Sequence, residues 1–151
     1  TVYRYFPEKS EIIKQLYLEW LAIEKETNLA AVQGVRPPVD AAEFVATLFR
    51  THLEGHSEED HSLSVELTKA LYLNKDVQSL DAEYEAEFVN TVTLHMHEFT
   101  VQSFTREQIS FALKLSVSLL IMINQEPAEG RGAMIEMAID SLKATIRSWV
   151  P

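Results

Sequence analysis

Residues 105–124 read TREQISFALKLSVSLLIMIN, and the fold class turns on how they are taken. Ile109, Phe111, Leu113, Leu115, Val117 and Leu119 alternate with a period of two, the pattern of a strand with one buried face. Three features oppose a strand. Thr105-Arg-Glu-Gln108 is a capping box, in which the Thr hydroxyl and the Gln side chain each satisfy a backbone N–H of the first turn. The apolar run is longer than an ordinary strand. No second stretch of the chain offers a partner strand. A helix apolar on all sides accounts for the residues better and predicts burial on more than one side.

The rest of the chain reads as helix around this one. Ile12, Ile13, Leu16, Tyr17, Trp20 and Leu21 form an apolar stripe on a helix from about Ser10 to Leu29, closed by the prolines of QGVRPP. Asp40-Ala-Ala-Glu43 is a capping box for a second helix with Phe44, Val45, Leu48, Phe49, His52 and Leu53 inward. A short third helix carries Leu63, Leu67, Ala70 and Leu71. Asp76 caps a fourth, with Leu80, Tyr84, Phe88, Val92, His95, Met96 and Phe99 on its buried side. After a turn at QEPAEGRG, Ile135, Ala138, Ile139, Leu142, Ile146 and Trp149 line a sixth helix over 133–149, widened by Met134 and Met137. The expectation is an all-α bundle of about six helices.

A chain of 151 residues, 46% of them hydrophobic, has material for one sizeable core. It contains no cysteine, so disulfides and thiolate metal sites are excluded, and a reducing cytoplasm is the expected setting. The longest apolar stretch, Ile109 to Ile123, is interrupted by Ser110, Lys114, Ser116 and Ser118 and is shorter than the ~20 residues of a membrane span; no membrane partner is expected. The formal net charge is −10. Arg4 and Lys9 against Glu8 give residues 1–9 a net of +1, which leaves −11 for residues 10–151. Such a body repels the phosphates from which duplex binding draws much of its affinity.

The basic opening is therefore out of character, and its residues carry a resemblance. TVYRYFPEKSEII, with Thr1, Val2, Tyr3, Tyr5, Phe6, Lys9, Ile12 and Ile13, resembles the end of the DNA-reading module of TetR/AcrR-type bacterial transcriptional regulators. Phenolic hydroxyls on rigid rings and a mobile ammonium are groups that fix a helix-turn-helix on the phosphate backbone without reading bases. The resemblance implies that Thr1, Tyr3, Tyr5 and Lys9, with Arg4 beside them, touch operator DNA in the full-length protein. It also implies that Phe6 and Pro7 end the recognition helix and that the first two helices of the module stand upstream of Thr1. Residues 1–9 are then the remnant of that module and residues 10–151 an effector-binding and dimerisation domain of a regulator, a repressor by expectation.

The same reading assigns the interior. Tyr17, Trp20, Phe88, Val92, His95, Phe99 and Phe111 are candidates to line a pocket for a small hydrophobic effector, apolar with one placed polar group. Leu113, Val117 and Leu120 on the fifth helix, with Ile135, Ile139, Leu142, Ile146 and Trp149 on the sixth, are candidates for a four-helix homodimer interface. No nucleophile–base pair, phosphate loop or paired catalytic carboxylates can be made out, so no catalysis and no cofactor are expected. His52, His56, Glu54, Asp60 and His61 gather possible metal ligands, but Gly55 and Ser57 break the helical spacing and a solvated acidic loop is the expectation. Two other readings use the same bundle without DNA: a helical protein–protein adaptor and a carrier of hydrophobic ligands.

Overall fold

A computed structural model describes residues 2–35, 40–54, 62–63, 66–67, 69–70, 73–99 and 103–150, with side chains from Glu8 onward and without that of Phe99. Five long helices stand among them: α1 Val2–Gly34, α2 Ala41–Glu54, α3 Lys75–Phe99, α4 Arg106–Asn124 and α5 Ala128–Arg147. Residues 62–63, 66–67 and 69–70 are helical, in the region expected to hold a short third helix, while Leu71 lies outside the described residues. No strand occurs among the described residues, and TREQ is the capping box expected: Gln108 N–H donates to Thr105 Oγ1 and Thr105 N–H to Gln108 Oε1.

The centre of the bundle is α2. It packs on α1, α4 and α5, and Ala41, Ala42, Phe44, Val45, Ala46, Leu48 and Phe49 are all buried. Two small residues at its start admit close neighbours, and each large side chain it hides contributes ~1.5–3 kcal/mol. The helix expected to be buried on more than one side, α4, packs on α2, α3 and α5 and is otherwise open. It buries Ile109, Ala112, Leu113 and Ile123 and leaves Phe111, Val117 and Met122 in solvent. Composition explains the difference, because an apolar side can face a core or face outward and periodicity is blind to which.

Three apolar clusters result. One joins the end of α1 to the middle of the bundle through Val32, Phe44, Val45, Val92, Ile109 and Leu113. A second, of Phe49, Ile123, Ile139 and Leu142 among others, locks α2, α4 and α5 together. The third sets Tyr17 and Leu21 of α1 against Val77 of α3 and Leu67.

Several ends differ from the sequence expectation. α1 does not break at Phe6-Pro7 and begins well before Ser10. Proline removes one helical hydrogen bond, and here the affected turn lies at the helix start, so most of the helix propagates without it. The cap of α3 is Asn74 rather than Asp76: Asn74 Oδ1 accepts from the backbone of Asp76 and Val77, and its amide donates to the Ser10 carbonyl and hydroxyl. One side chain thus caps α3 and ties it to α1. At Asp40 only half of the box forms, with Glu43 N–H on Asp40 Oδ1. The Glu43 carboxylate turns to Lys143 at 2.7 Å and Arg147 at 3.5 Å, which fastens the end of α5 to the start of α2.

The expected turn through Gly132 is also shorter. α5 starts at Ala128, directly after Pro127, and Gly130 and Gly132 lie inside it. Gly130 N–H donates to the Pro127 carbonyl, and Arg131 Nε donates to the Glu126 carbonyl, supplying partners that carry the first turns past two poor helix formers.

Candidate functional site

Two features have functional geometry: a polar cluster between α1, α2 and α3, and the outward side of α4 and α5. The cluster begins with Glu24, which falls seven residues after Tyr17 and so on the same, inward side of α1. Its residue is 3% exposed. Glu24 Oε2 stands 3.5 Å from His52 Nδ1 at the end of α2, and Asn28 Oδ1 stands 3.3 Å from the same nitrogen. The Asn28 amide donates to the Tyr84 hydroxyl on α3. Nearby, the Tyr17 hydroxyl donates to Asp81 Oδ1 at 2.7 Å. Lys25 lies over the Tyr84 ring and 3.5 Å from Glu87.

Burial pushes the Tyr17 phenol well above its ordinary range, and its bond to Asp81 with that carboxylate's charge adds to the effect. Burial also holds the Tyr84 phenol up, to about 12; Asn28 opposes this, and the Glu24 and Asp81 carboxylates reinforce it. Both tyrosines are neutral donors and acceptors inside the fold.

Among the described residues, the candidate effector residues fall in different apolar clusters. Tyr17 and Trp20 sit in the α1–α3 cluster, their rings 5.6 Å apart, and the Trp20 indole N–H is buried without a hydrogen-bond partner. Phe88 stacks on Tyr84 at 5.9 Å, and Val92 belongs to the central cluster. His95 turns back along its own helix, its Nδ1 2.9 Å from the Thr91 carbonyl oxygen. Phe111 is 54% exposed and meets the edge of Trp149. The side chain of Phe99 lies outside the described residues. The apolar cavity in the bundle is lined by residues including Val92, Met96, Phe104, Leu113 and Trp149 and holds about 10 Å³, room for one water. A larger hollow of about 270 Å³ between α2 and α5 is polar and open, its Arg50 and Lys143 already paired with Glu136 and Glu43.

The candidate interface residues divide. Leu113, Ile139, Leu142 and Ile146 are buried within this chain, so their burial requires no second copy. Leu120 and Ile135 are half-buried against the same core, and Trp149 packs against Phe104 and Phe111. Val117 alone of the eight is exposed, alongside Phe111 and Met122 on α4 and Met137 on α5, which sequence periodicity did not separate from the core side.

Among the candidate DNA contacts, Thr1 and the side chains of Tyr3, Arg4 and Tyr5 lie outside the described residues, whereas Lys9 is exposed on α1. His56, Asp60 and His61 also lie outside them, and the described residues hold no group of three metal-ligating side chains. By length and composition α4 passes as a membrane span, with 19 residues at a mean hydropathy of 1.3; a core helix of a soluble bundle passes the same test, and α4 packs on α3 and α5. The cluster itself was legible in part, since a glutamate at helical spacing from Tyr17, Leu21 and Asn28 interrupts an apolar side, but its partners on α2 and α3 are set by tertiary packing. The chain matches no family model, no curated protein and no solved structure.

Proposed function

We propose that this chain is the regulatory part of a TetR-like transcriptional regulator, a repressor that pairs as a homodimer and leaves its operator when a small hydrophobic effector binds. The observation that carries the reading is the continuity of α1. The segment with the DNA-module resemblance and the segment built into the interior through Tyr17, Leu21, Glu24 and Val32 are one helix, without the break at Phe6-Pro7 that the resemblance implies, and a change inside the body would pass along it to the first residues. The outward side of α4 and α5, bearing Phe111, Val117, Met122 and Met137, is the surface on which a second copy would pair.

Effector control then requires opening. The apolar cavity beside Val92, Leu113 and Trp149 has room for one water, so an effector entering there would favour a conformer whose helices stand further apart, and operator affinity would fall by linkage. The acidic body plays no part in holding DNA. Gel shifts with the intact protein on its own promoter test the reading, with salt dependence as a second readout. A specific complex that weakens as salt rises is the expected result, and the absence of any sequence-specific complex overturns it.

A further inference from the structure

The Glu24 carboxylate is almost wholly enclosed, on a helix that otherwise buries apolar groups there. An ionised carboxylate in such a place needs a cation and hydrogen-bond donors close by. The imidazole of His52 is placed to supply both from the last turn of α2, with its side chain 21% exposed and its Nδ1 3.5 Å from Glu24 Oε2. That nitrogen faces two oxygens, Glu24 Oε2 and Asn28 Oδ1, and so acts as an N–H donor. The N–H is present in one neutral tautomer and in the cation alike, and the two states differ in charge.

We propose that Glu24 and His52 form a proton-operated latch between α1 and α2, fastened when the imidazole is charged and slackened when it is neutral. This inference stands apart from the regulatory reading above. Among the described residues, the charged and polar groups near the pair are Tyr17, Lys25 and Asn28 on α1, Glu54 two residues beyond His52 on α2, and Asp81, Tyr84 and Glu87 on α3. Lys25 opposes a second positive charge, but its ammonium is directed to Glu87 and the Tyr84 ring. Asp81 is engaged by the Tyr17 hydroxyl and adds negative potential, and both tyrosines are neutral. Partial burial of His52 favours its neutral form and the adjacent carboxylate its charged form; the latch requires the carboxylate to outweigh the burial. The sign follows: a histidine whose proton is held more tightly in the fold stabilises it in full below about pH 6.5, and this contribution is lost as pH rises through the higher folded value.

The test is an NMR titration of the histidine imidazoles in the intact chain, wild type and Glu24→Gln. In the wild type His52 should titrate about one pH unit or more above the free value of about 6.5, a tenfold tighter proton. In E24Q, which keeps shape and an acceptor without charge, the midpoint should fall back by about that unit. A wild-type midpoint at or below about 6.5, or one unmoved in E24Q, overturns the latch. Should E24Q fail to fold, the wild-type titration still decides, together with urea midpoints of His52→Gln between mildly acid and mildly alkaline buffer. H52Q should be flat where the wild type declines, and a persisting decline would overturn the proposal.

Discussion

Replacing Leu142 by alanine separates an interior residue from an interface residue. Leu142 is 0% exposed in the single chain, enclosed by a cluster that includes Phe49, Ile123, Ala138 and Ile139. Leu→Ala deletes the equivalent of three methylenes, about 2.4 kcal/mol of transfer free energy at about 0.8 each. A residual cavity on the order of 50 Å³ adds about 1.2 kcal/mol at about 24 cal/mol per Å³, for a total near ~3.5 kcal/mol. With a urea slope of about 2 kcal/mol/M, the unfolding midpoint drops by roughly 1.5–2 M. Equilibrium unfolding followed by circular dichroism at several protein concentrations measures it. The loss should persist on dilution, because the pocket is built by one chain. A cost under about 1 kcal/mol, or one that disappears as the protein is diluted, refutes the assignment of this side of α5 to the monomer core.

Met137→Glu, at a side chain 59% exposed on α5, should leave the unfolding of the isolated chain within about 0.5 kcal/mol of wild type while weakening self-association in sedimentation velocity. Asn74→Ala removes the cap of α3 and the tie to Ser10 and should cost about 1–2 kcal/mol by urea unfolding, at least twice the effect of Asp76→Ala. Gly132→Ala should stabilise by about 0.5–1 kcal/mol, since a methyl group there meets nothing within 4 Å and the helix gains a better former. Raised phenol values make stability fall once the unfolded chain begins to lose tyrosine protons near pH 10 while the fold retains them. The phenolate absorbance of Tyr17 and Tyr84 should then appear late and together with unfolding, and Tyr17→Phe should move that alkaline limit upward.

How far the sequence could be read depended on whether a signal was local. The Thr105–Gln108 box is a four-residue device, and it decided helix over strand for α4 correctly. The inward rows of α2 and α5 were equally legible, because Phe44, Val45, Leu48 and Phe49, and likewise Ala138, Ile139, Leu142 and Ile146, recur at helical spacing between polar residues. On α1 the same logic drew too wide a stripe: Ile12 and Leu16 are exposed, and the buried side is centred on Tyr17, Leu21 and Glu24. Asp76 looked like a cap because aspartate suits that place, yet Asn74 holds it, through a second set of bonds to Ser10 sixty-four residues away. The described candidate pocket residues fall in different clusters for a related reason. Aromatic residues sharing a buried side of a helix need not share a neighbour on the next one.

α1 is 33 residues long, and at 1.5 Å per residue it measures about 50 Å. Among the described side chains, its tie to α3 nearest the N-terminus, at Ser10, sits eight residues from Val2, leaving an arm of about 12 Å. Swinging that arm by ~10° about its anchorage carries the tip through about 2 Å, somewhat less than half the pitch of one helical turn. A rearrangement where α1 meets α3 is thereby carried along the helix to its first residues.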